Sequence, residues 1–340
     1  MPANYQPSRR SERYFLAATA GLALVALSLS AAPANRLRLS MKFTPGETLR
    51  YRIETSTTAN NKMETPIENP EAASASKQSV SLILRLDVLN GPPANGQPAG
   101  SVRIRATYEK SDASFQSDAY DPASANLEDQ YKHLEGRWLE YTIDPDGNVS
   151  HISGIDDLLA NPVVAENVRL WINGLSFGPR IPKGGVEIGQ KWSNDQPMEG
   201  TALGGLIWRN HSTYLHDEPC YPTDVPPGSS VAPQPAGKNP SCAVIVTEFK
   251  IVRNGDATPD DYARKNLNTS GTWTGSGGSL ESISLLDGTL IRSTQSSTQD
   301  MNVEILSTRS SSKIHYASHV ESRSEISLLP PEAPPTEPKS

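Results

Sequence analysis

A chain of 340 residues with 38 acidic and 31 basic side chains has a formal charge of −7, which disfavours non-specific attraction to nucleic acid. Aromatic residues make up only 6%, whereas Ser, Thr, 24 Gly and 28 Pro are plentiful, a composition suited to exposed antiparallel strands joined by long loops.

Residues 1–34 read as an export signal. Arg9, Arg10 and Arg13 form a basic start, Tyr14 to Leu29 an apolar core, and Ala32-Pro33-Ala34 a small-residue cleavage site before Asn35. The alternative is an uncleaved N-terminal membrane anchor, because the core is marginal in length for a span. Glu12 weakens a twin-arginine reading of Arg9-Arg10. No cysteine follows the apolar core, which argues against a lipid-anchored product. Cleavage would remove three Arg and one Glu and leave the remainder near −9. The expected location is the periplasm or the extracellular space.

The rest, 35–327, reads as an antiparallel β region, one domain or two similar halves meeting near 192–205. Leu49, Tyr51 and Ile53 alternate with charged residues, Leu82, Leu84, Leu86 and Val88 with Ser81, Arg85 and Asp87, and Val102, Ile104, Ala106 and Tyr108 with Arg103, Arg105, Thr107 and Glu109. Such alternation puts one strand face in a core and one in water. Residues 57–79 read as a mobile insertion, Gly91 to Gly100 as a long hairpin loop, and Ala123 to Leu134 as a modest helix. Arg50, Arg52, Arg85, Arg103 and Arg105 share the wet faces with Glu54, Asp87 and Glu109. Cross-strand pairing is the simpler reading there, and a basic patch for an acidic ligand or lipid headgroup the alternative.

The most informative stretch runs from Glu135 to Trp192. Trp138, Tyr141 and Ile143 start a strand, Asp144 to Asn148 turn it, and Val149 and Ile152 begin the return. After Gly154, apolar residues from Ile155 to Leu175 recur at helical spacing, with Asp156 and Asp157 in the first turn and Pro162 arguing for a break near Asn161. One long helix or two short ones would cover a face of the sheet. Ile181-Pro182 through Trp192 then returns the chain to strands.

Cys220 and Cys242 bracket a Pro-rich loop, and in an exported chain they predict a disulfide. His211 and His216 lie nearby, but their spacing matches no zinc pattern. Further strands are expected over Leu206–Leu215, Ala243–Val252, Thr269–Gly275, Gly278–Leu286, Thr289–Ser297, Asn302–Ser307 and Lys313–Ser327, with a tight turn at Asp287-Gly288. Residues 328–340 form a Pro-rich tail expected to be unstructured. The expected fold is therefore mainly β, all-β or α+β: a long curved antiparallel sheet, or a half-barrel, packed on one or two helices.

The succession Leu139-Glu140-Tyr141, Asp144 to Gly147, Gly154 to Leu158, Pro182, Val186 to Trp192, and then Gly275 to Gly278 and Leu286 to Leu290 resembles uncharacterised families of exported bacterial β proteins of the envelope. The resemblance covers most of the chain after the signal and implies no activity. The Cys-bounded loop departs from it.

Chemical motifs are scarce. The sequence has no Gly-x-Ser-x-Gly elbow, no His-Glu-x-x-His and no phosphate loop. Asp144, Asp146 and Asn148 have the flavour of a calcium loop but lack the downstream Glu. His315 and His319, on one strand face, would stand roughly 13 Å apart, too far to share a metal. No catalytic residue, metal site or cofactor is therefore assigned. Trp138, Tyr141, Trp171, Trp192 and Trp208 fall near the central hairpin, helix and re-entry loop, where they would line an apolar cavity or pack a core. A non-catalytic envelope protein binding a lipid, glycan or peptide in a curved sheet ranks first, with an apolar small molecule or lipid as partner. A ligand-free structural or interaction protein ranks second. A hydrolase ranks third, since no spacing picks out a carboxylate pair.

Overall fold

The computed structural model describes residues 42–65, 72–90, 97–119, 126–145, 147–154, 181–182, 184–198, 201–221, 239–255, 257–310 and 312–330. The expected signal at 1–34, the helical segment with Trp171, all but Asn239 and Pro240 of the Pro-rich loop, and the tail beyond Pro330 lie outside them. Eleven strands form one antiparallel sheet: β1 (Thr48–Glu64), β2 (Ala73–Val88), β3 (Val102–Ser117), β4 (Trp138–Ile143), β5 (Val149–Ser153), β6 (Lys191–Pro197), β7 (Leu206–Pro219), β8 (Ser241–Arg253), β9 (Leu267–Ser284), β10 (Leu290–Ser307) and β11 (Lys313–Leu328). Among the described residues only two short helices accompany them, α1 (Leu127–Lys132) and α2 (Asp260–Arg264).

The strand order is β5-β4-β3-β2-β1-β11-β10-β9-β8-β7-β6. The first and last strands thus pair at the centre, and each half runs outward as a meander. Open twisted sheets rarely exceed about ten strands without curling. This one curls: Tyr51, Ile53, Leu82, Leu84 and Ile104 from β1 to β3 share one buried cluster with Ile245, Ile283 and Leu290 from β8 to β10. The edges are short and blunt, five residues in β5 and seven in β6, the latter ending at Pro197.

Alternation fixes which face is concave. Tyr51, Ile53, Leu82, Leu84, Leu86, Ile104 and Leu139 are buried inward-facing residues, and their outward neighbours include Arg50, Arg52, Arg85, Asp87, Arg103, Arg105 and Glu140. On the convex face Arg50 (2.6 Å) and Arg85 (3.5 Å) reach Glu109, and Arg103 (2.6 Å) and Arg105 (2.8 Å) reach Glu140. Burial pushes the Glu140 carboxyl up, but hydrogen bonds from Arg105 and Arg103 outweigh it and hold the group below its usual range. The arginines of these wet faces are therefore largely spent on cross-strand pairing.

Three expectations differ from the structure in instructive ways. Residues 57–79 read as mobile, yet β1 runs to Glu64 and β2 starts at Ala73, with Ala59 opposite Ser76 and Lys62 opposite Ala73. Their small polar side chains are those of a strand wetted on both faces, and the backbone ladder holds it. The Gly275-to-Gly278 run, read as a break, is instead crossed by the single strand β9. A Cβ on Gly277 would stand 2.5 Å from the Phe249 ring, and one on Gly275 would stand 2.8 Å from Ile251 Cδ1. These glycines leave a flat strip on which the β8 side chains lie. β10 likewise bridges the gap left between 297 and 302.

The turns follow expectation. Gly147, at φ 86°, closes the β4–β5 hairpin, and Asp144 accepts hydrogen bonds from the Asn148 backbone and amide, both at 2.8 Å. That use of the Asp144 carboxylate fits a plain turn. Gly288 has φ 74°, and Thr289 N–H donates to Asp287 Oδ1. Cys220 and Cys242 form the expected disulfide between the end of β7 and the start of β8, with Cys242 fully buried. Closing a loop of this length restricts the unfolded chain by about 3 kcal/mol in the chain-entropy model. No described helix is long and apolar enough to cross a membrane.

Candidate functional site

The concave face changes character along the strands. Its floor is built round large apolar residues, with Ile53, Leu82 and Ile245 each at most 1% exposed. Two residues further along each strand the register places one inward row: Ala113 on β3, Val80 on β2, Thr55 on β1, Ser324 on β11, Gln295 on β10, Ser279 on β9 and Thr247 on β8. These smaller side chains do not fill the curl. They line a cavity of about 990 Å³ whose wall is drawn from seven strands. Beyond it, Trp208, Ile251, Trp273, Met301 and Val303 form a second apolar cluster with Met198 and Leu203 from the β6–β7 connection. The cavity lies between two packed layers.

Its wall exposes mainly apolar and hydroxylated groups, and Glu54, Asp112, Glu248, Arg323 and Glu325 also border it. Thr247 and Ser212 satisfy each other through a 2.8 Å hydroxyl–hydroxyl bond. Thr55 Oγ1 and Ser111 Oγ are buried without a hydrogen-bond partner among the described residues. Ser111 belongs to the floor row itself, which runs through Leu82, Ile53, Ile326 and Ser293 to Glu281 and Ile245.

Glu281 is the exceptional residue of that row. On the seven strands that line the cavity it is the sole carboxylate at an inward position among the described residues. Its Oε1 accepts a 3.4 Å bond from Ser279 Oγ, and its Oε2 is buried with no partner among the described residues. Burial pushes the carboxyl up to about 7, against a smaller opposing effect of the Ser279 bond. The residue as a whole is half-buried, and its carboxylate end is the enclosed part. A carboxyl held this way exchanges its proton near neutrality and has one oxygen free to accept or donate a hydrogen bond.

The four aromatic candidates among the described residues do not converge. Tyr141 is buried in the floor cluster, and Trp192 packs half-buried against that cluster. Trp208 lies in the upper cluster, edge to face with Phe249 at 5.3 Å. Trp138 is on the convex face, 48% exposed, with the Arg105 guanidinium 4.6 Å above its ring. Trp171 lies outside the described residues.

Sequence reading missed Glu281 because Leu280 carries the apolar character of its segment and suggests the opposite phase. Leu280 is in fact 46% exposed, whereas Ile283 is buried. Ile283 was the one available signal, since a residue two places from a core isoleucine on a strand shares its face. His315 and His319 are separately engaged, with Asn302 and Asp300 at 2.7 Å each. Among the described residues no group of three acidic, His or Cys side chains is placed to hold a metal ion.

No family model matches the sequence, and no curated protein is similar to it. Among solved structures, one described as lipid–protein interactions in lipovitellin is similar at a TM-score of 0.44 and 12% identity over 88% of this chain. The chain spans 27% of the length of that protein chain.

Proposed function

We propose that the protein is a non-catalytic binding protein of the cell envelope that holds an apolar or amphipathic small molecule, of the lipid class, in the concave face of its sheet. One observation carries this reading: a cavity of about 990 Å³, partly open to solvent, is walled by seven strands between two packed apolar layers. That volume is at the upper end of the range for sites that take small organic ligands. The apolar part of a ligand would gain roughly 25 cal/mol for each Å² of surface buried. The export signal read at 1–34 and the Cys220–Cys242 disulfide support an oxidising location. The acids that border the cavity, Glu54, Asp112, Glu248 and Glu325, stand at outward register positions, and Glu281 is the sole inward acid of the described cavity strands.

Uptake of an apolar fluorescent probe by the purified protein, together with Ala113→Trp, tests the proposal. Ala113 lines the cavity, so an indole there occupies ligand space. The wild type is expected to take up the probe, and the variant to lose uptake while keeping a cooperative thermal transition. A wild type that binds no probe and releases no apolar molecule on solvent extraction would transfer the protein to the structural class.

A further inference from the structure

We infer that the cavity selects an amphiphile whose head is uncharged and carries several hydroxyl groups, as a sugar does, and that Gln295 and Ser324 receive that head. The inference rests on the ligand-binding reading above and deepens it. The two residues stand opposite each other in register on β10 and β11, and both line the cavity. The side chain of neither makes a hydrogen bond among the described residues, and Gln295 is exposed. Their neighbours in the row offer less. Thr247 is bonded to Ser212 and Ser279 to Glu281, Thr55 Oγ1 is enclosed, and Val80 and Ala113 are apolar. Free hydrogen-bonding capacity at this level is therefore concentrated on one adjacent amide and hydroxyl.

Charge is kept out of this space. Glu54, Asp112, Glu248, Glu325 and Arg323 border the cavity, but strand alternation sets all five at outward positions. Two of the acids have basic partners there, Arg292 at 3.1 Å from Glu325 and Lys132 at 3.8 Å from Asp112. Glu281 belongs to the floor row, with its Oε2 enclosed. A carboxylate or phosphate head would thus lose its water with no cation beside it, and an ammonium would find no carboxylate in reach. An uncharged polyol fits. Gln295 supplies two N–H donors and an acceptor oxygen, Ser324 a donor and an acceptor, and each hydroxyl of a sugar also does both. Inward side chains opposite each other on neighbouring strands stand about 4.5–5.5 Å apart, so adjacent hydroxyls of one head reach both groups, whereas a simple alcohol reaches one. The next inward row continues the same uncharged chemistry with Gln78, Thr57, Ser322 and Ser297. Val80 and Ala113 leave an apolar wall for the tail.

Titration calorimetry of the purified protein with dodecyl glucoside, dodecanol, dodecanoate and dodecylamine, each below its micellar concentration, provides the test. The glucoside is expected to bind about tenfold more tightly than dodecanol, although it is the less apolar of the two, because its head adds neutral hydrogen bonds to both groups. Dodecanoate and dodecylamine should bind more weakly than dodecanol. Gln295→Leu and Ser324→Ala should each reduce the preference for the glucoside and together abolish it, while dodecanol binding and a cooperative thermal transition persist. Gln116→Leu, the same exchange at an exposed outward position of β3 away from the cavity, should leave the preference intact. Equal affinity for glucoside and dodecanol, a preference that survives the double substitution, or tighter binding of either charged amphiphile overturns this inference while leaving ligand binding in place. Failure of all four to bind removes the ligand-binding reading and this inference with it.

Discussion

Two neighbouring levels of the concave face, separated by one inward-facing residue on each strand, behave as different materials. At the floor, Ile53, Leu82 and Ile245 meet across the curl and exclude water. At the next level Thr55, Val80 and Thr247 occupy the same strands with the same alternation, and the space between them stays open. The backbone ladder is continuous through both. Side-chain volume alone decides whether a given arc of the sheet closes on itself, because a curl wide enough for Leu against Ile is too wide for Ser against Thr.

The sharpest way to break this comparison is to hollow the floor. Leu82→Ala removes a fully buried side chain and is expected to cost about 3–4 kcal/mol in urea unfolding, whereas Ser324→Ala in the cavity row should change stability by under about 0.5 kcal/mol. Similar losses at both positions would mean that the cavity row is packed too.

A second difference between the levels is electrical. The Glu281 carboxyl is raised to about 7 by burial, so the folded state favours its protonated form. Below about pH 4.5 both the folded and the unfolded chain carry the proton and the contribution is fully present. Between that pH and about 7 the unfolded chain releases it while the fold retains it, so stability declines by roughly 3 kcal/mol over the interval. The paired Glu140 acts in the opposite sense and at lower pH, since its depressed carboxyl loses its stabilising charge only as acid is added. Chemical denaturation at pH 5 and pH 8 should therefore show the decline in wild type and a flatter profile in Glu281→Gln. An unchanged profile in the variant would place the titrating group elsewhere.

The floor was legible in the sequence and the cavity was not, for a physical reason. Large apolar residues at every second position, as in Leu82, Leu84 and Leu86, declare both a strand and its buried face. Thr55, Ser279 and Ser324 declare neither, since hydroxylated residues occur equally on wet faces and in polar walls. The same ambiguity made 57–79 look like a loose insertion and split β9 at its glycines. Only register, which pairs Thr55 with Ser324 and Gln295 with Ser279, shows that such residues form one inward row. The four described aromatic candidates fail to converge for a related reason: Trp138 and Leu139 are neighbours in sequence and face opposite sides of the sheet.

The smallest expected effect sharpens the comparison most. Thr55 Oγ1 is buried without a partner among the described residues, so the desolvation cost of a hydroxyl is carried there with no hydrogen bond from them to offset it. Thr55→Val replaces that hydroxyl by a methyl of nearly the same size and keeps the β-branched shape that suits a strand. The substitution also makes the cavity row of β1 resemble its floor row, where Ile53 stands. Stability is expected to rise by about 1 kcal/mol, the lower part of the range for an unsatisfied buried polar group, with urea midpoint as the readout and no change in the denaturant slope. A loss of stability instead would show that the hydroxyl is satisfied in solution by ordered water held in the cavity. Ligand binding separates the two cases further. With a dry wall the valine should tighten binding of dodecanol slightly through added apolar contact, whereas with a wet wall it should weaken it by removing an anchor for the bridging water.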